Sequence, residues 1–143
     1  MKIDFDLLEK LTEKIFQIYE EAKNIKELAI KNKEGNDIVT EVDMFMEKNI
    51  IEMIKEYFPE HSIYSEESGE EKNKSEYEWF IDPIDGTINF ASGLPFFSTS
   101  IALKKMDDTI LGLVLDYSQK DVYYAIKGQG AFCNGKKITG FKL

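Results

Sequence analysis

Apolar residues at Phe5, Leu8, Leu11, Ile15, Ile18, Ala22, Ile25 and Ala29 recur every three or four positions, with Glu and Lys filling the gaps. That spacing predicts one long amphipathic helix with a single core-facing stripe. A polar break from Lys31 to Asn36 ends the stripe, so packing onto a sheet is expected rather than a coiled-coil seam. Gly35-Asn36-Asp37 is expected as a loop. A second stripe, Met46, Ile50, Met53, Ile54 and Tyr57, predicts another helix. Thr40 with Asp43 three positions later is expected as its capping box, and Pro59 closes it.

Beyond residue 61 the pattern shifts to strands. Residues 62–64 read as a short strand, and 70–78 as a charged loop of low hydrophobicity. Trp79-Phe80-Ile81 is a strand expected to stop at Pro83, which fixes φ and donates no hydrogen bond. Further strands are expected over 96–103, 109–116, 121–126 and 131–133, returning at Lys136. Turns at Gly93-Leu94-Pro95, Asp107-Asp108 and Asn134-Gly135 join them, the last a type I′ hairpin signal. Residues 109–115 are apolar enough to be a central strand covered on both faces. The whole reads as α+β: two amphipathic helices packed on a mostly antiparallel sheet.

Composition narrows the function classes. At 143 residues one domain with a real core is expected, and 43% hydrophobic with 13% aromatic residues argues against a disordered chain. A net charge of -9 argues against non-specific nucleic-acid binding. Cys133 is the single cysteine, so an internal disulfide and a thiolate metal cluster are excluded; beside a hairpin it reads as a small apolar filler. His61, the single histidine, has no His or Cys partner nearby and reads as a loop residue rather than a ligand. Residues 1–6 are charged early, and no run approaches the roughly 18 apolar residues of a membrane span. A cytoplasmic protein without membrane or nucleic-acid partners is expected.

The chemistry concentrates in Trp79-Phe80-Ile81-Asp82-Pro83-Ile84-Asp85-Gly86-Thr87-Ile88-Asn89-Phe90. A strand runs into two carboxylates three positions apart, and Asp-Gly-Thr then turns the chain. A helix or tight turn starting at Thr87 would present free N–H groups beside those carboxylates. Carboxylate and carbonyl oxygens suit a hard cation such as Mg²⁺, N–H donors suit a phosphate, and a metal-bridged phosphate satisfies both. Two bare aspartates in Asp-Pro and Asp-Gly are by themselves more often surface turns. Glu66-Glu67 at a strand end is likewise usually a solvated pair, and Thr40–Asp43 usually a plain helix start.

The complete string resembles the signature of the inositol monophosphatase family, Asp-Pro-Ile/Leu-Asp-Gly-Thr-x-Asn-Phe, at every fixed position, with Ile88 at the variable one. The resemblance extends to Asp37-Ile38-Val39-Thr40-Glu41-Val42-Asp43 and to Glu66-Glu67, with Ser65 standing where members often carry Gly. It implies a Mg²⁺-dependent phosphomonoesterase acting by metal-activated water. It implies that Glu66, Asp82, the Ile84 carbonyl and Asp85 hold the cations, with Asp82 shared between two. Glu66 and Thr87 would orient the attacking water, and the residue matching Asp43 hydrogen-bonds the threonine. Phosphate oxygens would meet Asp85, Gly86 and Thr87. The loop after Glu67 would be mobile and lie over the metals.

The resemblance also implies only half of an αβαβα layered fold: residues 1–143 as an N-terminal metal- and phosphate-binding domain. A further aspartate and most alcohol contacts belong to a C-terminal half with a Trp-Asp motif, and the single tryptophan here is Trp79. Inositol 1-phosphate or a related sugar or alcohol phosphate is the expected substrate. Fructose bisphosphate, a 3′-phosphonucleotide, histidinol phosphate and NADP are the family's other options. The rival expectation is a non-catalytic module acting through a protein partner, and a homo-oligomer or the missing half is the expected associate.

Overall fold

The long stripe folds as α1 (Phe5–Ile30) and the second stripe as α2 (Asn36–Tyr57). This computed structural model describes residues 3–30 and 36–140, with the backbone alone for 27–30 and 36–40. Leu8, Leu11, Ile15 and Ala22 of α1 and Val42, Met46, Ile50, Met53 and Ile54 of α2 are buried, so both stripes meet the core as their spacing requires. α2 starts earlier than its expected cap. Asn36 and Asp37 are already helical, and Thr40 lies inside the helix rather than capping it. Asn and Asp favour helix starts as strongly as Thr does, and here the upstream pair prevails. Gly35 and the side chain of Ala29 lie outside the described residues.

The described strands form one sheet, in the order β2-β1-β3-β4-β5-β6-β7-β8. The strands are β1 (Ser62–Ser65), β2 (Gly69–Glu71), β3 (Tyr77–Asp85), β4 (Ser98–Lys105), β5 (Asp108–Asp116), β6 (Asp121–Ile126), β7 (Gly130–Cys133) and β8 (Lys136–Lys137). Among the described residues only β1 and β3 pair in parallel; β3 to β8 form an antiparallel meander. The short helix α3 (Thr87–Ala91) follows β3. Asn134 and Gly135 both have positive φ, 50° and 78°, as the type I′ turn demands. The fold is the α+β arrangement that the pattern predicts.

Three expectations change. β2 lies where a charged loop is expected, because an edge strand pairs through its backbone and tolerates charged side chains. β3 runs through Pro83 to Asp85 instead of stopping, because the register shifts between Asp82 and Asp85 and frees Pro83 from the ladder. β5 is central but covered on one face only. Leu111, Leu113 and Leu115 are buried, whereas Val114 is 36% exposed, because the helices pack against one side of the sheet. Phe80, Ala102, Gly112 and Ala125 form a cross-strand row of the opposite face, which no described helix covers.

His61 is buried at the turn between α2 and β1. Its Nδ1 accepts a hydrogen bond from Trp79 Nε1 at 3.0 Å, and its ring lies between Phe58 and Tyr77 at 5.0 and 4.8 Å. No described helix is long and apolar enough to cross a membrane.

Burial lowers the pKa of His61 below its ordinary 6.5. An unfolded chain therefore takes up this proton first, and the His61 contribution to stability is lost as pH falls below 6.5. Protonated Nδ1 cannot accept from Trp79. Denaturant unfolding followed by Trp79 fluorescence is expected to show wild type losing stability relative to His61→Gln between pH 7 and 5. A constant difference across that range contradicts the assignment.

Candidate active site

Two strand ends and one helix bring the acidic residues together. β1 and β3 pair in parallel, so Ser65 lies opposite Ile81 and their chains leave the sheet side by side. The Glu66 N–H donates to the Ile81 carbonyl at 3.2 Å, which places Glu66 next to Asp82. Glu66 is close enough to raise the Asp82 pKa, and Asp85 adds its charge from the other side of Pro83. From α2, Asp43 senses the charges of Glu67, Asp82, Glu66 and Glu47.

The electrostatic consequence is large. Burial first, then Glu66 and Asp85, push Asp82 up to about 6 against an ordinary 3.8, although the Ile84 N–H favours its charged form. Asp43, 7% exposed, is pushed up to about 7 by burial and then by Glu67, Asp82, Glu66 and Glu47. Asp82 Oδ1 is buried without a hydrogen-bond partner. Buried acceptors are almost always satisfied, so an unanswered carboxylate oxygen among like charges is the signature of a place for a cation.

The turn after Asp85 is sterically specified. Gly86 has φ 90°, and a Cβ there would lie 2.7 Å from the Phe96 carbonyl oxygen, so glycine is required twice over. That carbonyl is itself held by Asn89 Nδ2 at 2.8 Å. No side chain caps α3, and Thr87 Oγ1 donates to the Ile84 carbonyl at 2.9 Å. The Thr87 proton thus goes to a candidate ligand carbonyl, where the resemblance would pair Thr87 with Asp43. Next to Asp85 and Gly86 lies an open cleft of about 550 Å³, also lined by Ser98, Asp116 and Tyr123.

The oxygen-only donor set and the orphaned Asp82 oxygen fit a hard divalent cation. Glu66 and Asp85 each act on Asp82 through their charge, but among the described residues no three acidic side chains close on a single point as they stand. Sequence reasoning misses Glu47. This residue is 2% exposed, and its carboxylate accepts from the Glu67 N–H at 2.9 Å and from the Ser68 hydroxyl. It pins the turn that carries Glu66. Its only sequence signal is its position four residues after Asp43, on the same helix face.

A strand-turn-helix unit that gathers carboxylates beside a glycine turn defines the class, and comparison with known proteins names the family. The model of the inositol monophosphatase family matches residues 1–142. The chain belongs to that family. It is 44% identical over 115 residues to a protein of Aquifex aeolicus named fructose-1,6-bisphosphatase/inositol-1-monophosphatase, covering 80% of this chain and 43% of that protein. It is 45% identical over 104 residues to the Nus factor SuhB of Haemophilus influenzae, covering 72% of this chain and 39% of that protein. Among solved structures, inositol monophosphatase II of Staphylococcus aureus superposes with a TM-score of 0.81 at 27% identity, over 97% of this chain and 52% of that one. The chain therefore spans about two fifths to one half of the length of these relatives.

Because the Asp43 pKa lies above its unfolded value, the folded state binds this proton more tightly. The Asp43 contribution is then most favourable at low pH and declines as pH rises from 3.8 to about 7. In EDTA at pH 8, Asp43→Asn is expected to melt higher than wild type, with the gap closing by pH 4. A variant that melts lower at pH 8 contradicts the cluster electrostatics.

Proposed function

We propose that this chain is the metal- and phosphate-binding half of a Mg²⁺-dependent phosphomonoesterase acting on inositol 1-phosphate or a related sugar or alcohol phosphate. The observation that carries this reading is the buried, unpartnered Asp82 oxygen, on a carboxylate that burial and the charges of Glu66 and Asp85 hold well above its ordinary pKa. Glu66, Asp82, the Ile84 carbonyl and Asp85 would hold the cation. When bound, it would neutralise charge on the phosphoryl oxygens and make a water more acidic.

The chain's own residues do the rest. Glu66 and Thr87 orient the attacking water, and Asp43 supports them from α2. Asp85 and the N–H groups of Gly86 and Thr87 meet the phosphate, with the cleft beside them large enough for a sugar-sized alcohol. The names of the Aquifex relative support both inositol phosphate and fructose bisphosphate as substrates.

A second reading has its own support: several similar proteins are named Nus factors, which favours a module acting through a protein partner. Mg²⁺ dependence of turnover separates the two.

A cation that binds only the folded state raises its melting temperature by mass action. Millimolar Mg²⁺ is expected to raise the melting temperature of wild type and to leave Asp82→Asn unmoved. Turnover of inositol 1-phosphate by this chain alone is expected to lie far below that of a full-length relative. Adding the residues that complete the relatives as a second polypeptide should raise it. Mg²⁺-independent melting, or turnover that survives Asp85→Asn, contradicts the reading.

A further inference from the structure

The register shift between Asp82 and Asp85 leaves Pro83, with its carbonyl, outside the paired positions of the β3–β4 ladder. A side chain answers it instead. Thr99 Oγ1, fully buried on β4, donates to the Pro83 carbonyl at 2.7 Å. A carbonyl has no proton, so the Thr99 hydroxyl is committed as donor there. The Tyr117 hydroxyl also bonds Thr99 Oγ1. Since Thr99 has one proton and has already spent it, Tyr117 is the donor in that second bond. Both directions are thereby settled: Tyr117 to Thr99, and Thr99 to the Pro83 carbonyl.

The far end of this relay is held rigidly. Tyr117 is 6% exposed, stacks on Tyr19 of α1 with centroids 3.8 Å apart at 19°, and meets Phe16 edge-on at 5.7 Å. Burial raises the phenol pKa well above its ordinary value, so Tyr117 keeps its proton throughout the neutral range.

The near end reaches the carboxylates. The Pro83–Ile84 peptide is trans, so its C=O and N–H point to opposite sides. With the carbonyl held by Thr99, the Ile84 N–H is directed to the other side of the peptide, and it favours the charged form of the Asp82 carboxylate. The following carbonyl, that of Ile84, is the one that Thr87 contacts.

We propose that Thr99 and Tyr117 are positioning residues of the cation site, two buried hydroxyls that set the plane of the Pro83–Ile84 peptide and through it the Asp82 carboxylate and the Ile84 carbonyl. The proposal rests on the cation-dependent reading above. Neither hydroxyl touches cation or substrate; both act through one peptide group. Burial alone does not ask for these hydroxyls. Valine would fill the space of Thr99 and suit a strand equally well.

The test uses the full chain with Thr99→Val, Thr99→Ser, Tyr117→Phe and, as a control for general destabilisation, Leu111→Val. Two quantities are read. The first is amide hydrogen exchange at Ile84 and Asp85 in metal-free protein, relative to Leu113 and Leu115. The second is the Mn²⁺ dissociation constant from electron paramagnetic resonance. Thr99→Val is expected to speed exchange at Ile84 and Asp85 selectively and to weaken Mn²⁺ binding about tenfold, the scale of one lost buried hydrogen bond. Tyr117→Phe should do both to a smaller extent, Thr99→Ser should restore both, and Leu111→Val should lower the melting temperature while changing neither.

If Thr99→Val melts lower yet keeps wild-type exchange at Ile84 and Asp85 and wild-type Mn²⁺ affinity, the hydroxyls only fill the core and the proposal is wrong. Should Thr99→Val not fold, the same two measurements on Tyr117→Phe decide, and wild-type values in both overturn it. A wild type that binds no Mn²⁺ sinks the cation-dependent reading instead, while exchange at Ile84 and Asp85 still decides whether the relay positions the peptide.

Discussion

The repulsion that Glu66 and Asp85 exert on Asp82, and that Asp82, Glu66 and Glu67 exert on Asp43, is the constraint around which this fold is built. A chain that only had to be stable would not place these acids near Asp43 and Asp82, because their charges raise the free energy of the charged forms of both. The strain is resolved in part by retained protons, with Asp43 pushed up to about 7 and Asp82 up to about 6. One Asp82 oxygen is left unanswered even so. A hard cation would resolve both at once, which links the electrostatics of the fold to phosphate-ester chemistry.

Holding like charges together takes scaffolding, and the fold supplies it from both sides. α2 provides Glu47, whose buried carboxylate accepts from the Glu67 N–H and the Ser68 hydroxyl and so fixes the turn bearing Glu66. The sheet provides Thr99 and Tyr117, which hold the Pro83 carbonyl between Asp82 and Asp85. Gly86 lets the chain pass within contact of the Phe96 carbonyl, and Lys26 Nζ donates to the Phe90 carbonyl at 2.7 Å to close the end of α3. Glu47, Thr99 and Lys26 thus each bring a buried or half-buried side chain to a backbone group.

What the sequence revealed follows from the range over which each signal acts. The stripes of α1 and α2, the Asn134-Gly135 turn and the Asp82–Thr87 string are local, and periodicity, turn chemistry and motif resemblance sufficed to find them. The start of α2 was misplaced because Asn36-Asp37 and Thr40 carry competing start signals within one turn. β2 was hidden because an edge strand needs no apolar alternation. Residues 109–115 looked buried on both faces, since composition cannot reveal that helices cover one side only. Glu47 and Thr99 were invisible for a deeper reason. A glutamate in a helix and a threonine in a strand read as ordinary, and their roles arise only when the β1–β3 pairing and the β3 register shift bring distant backbone groups to them.

On the proposed reading, Asp43 and Asp82 retain protons that a bound cation displaces. Isothermal titration of Mg²⁺ into the chain at pH 6.5, in two buffers of different ionisation enthalpy, measures it directly, because cation binding to protonated ligands releases protons to the buffer. The account predicts observed heats that differ between the buffers at pH 6.5 and converge at pH 8.5, where Asp43 and Asp82 are already ionised. Heats independent of buffer at pH 6.5, or the absence of any binding at both pH values, would contradict it.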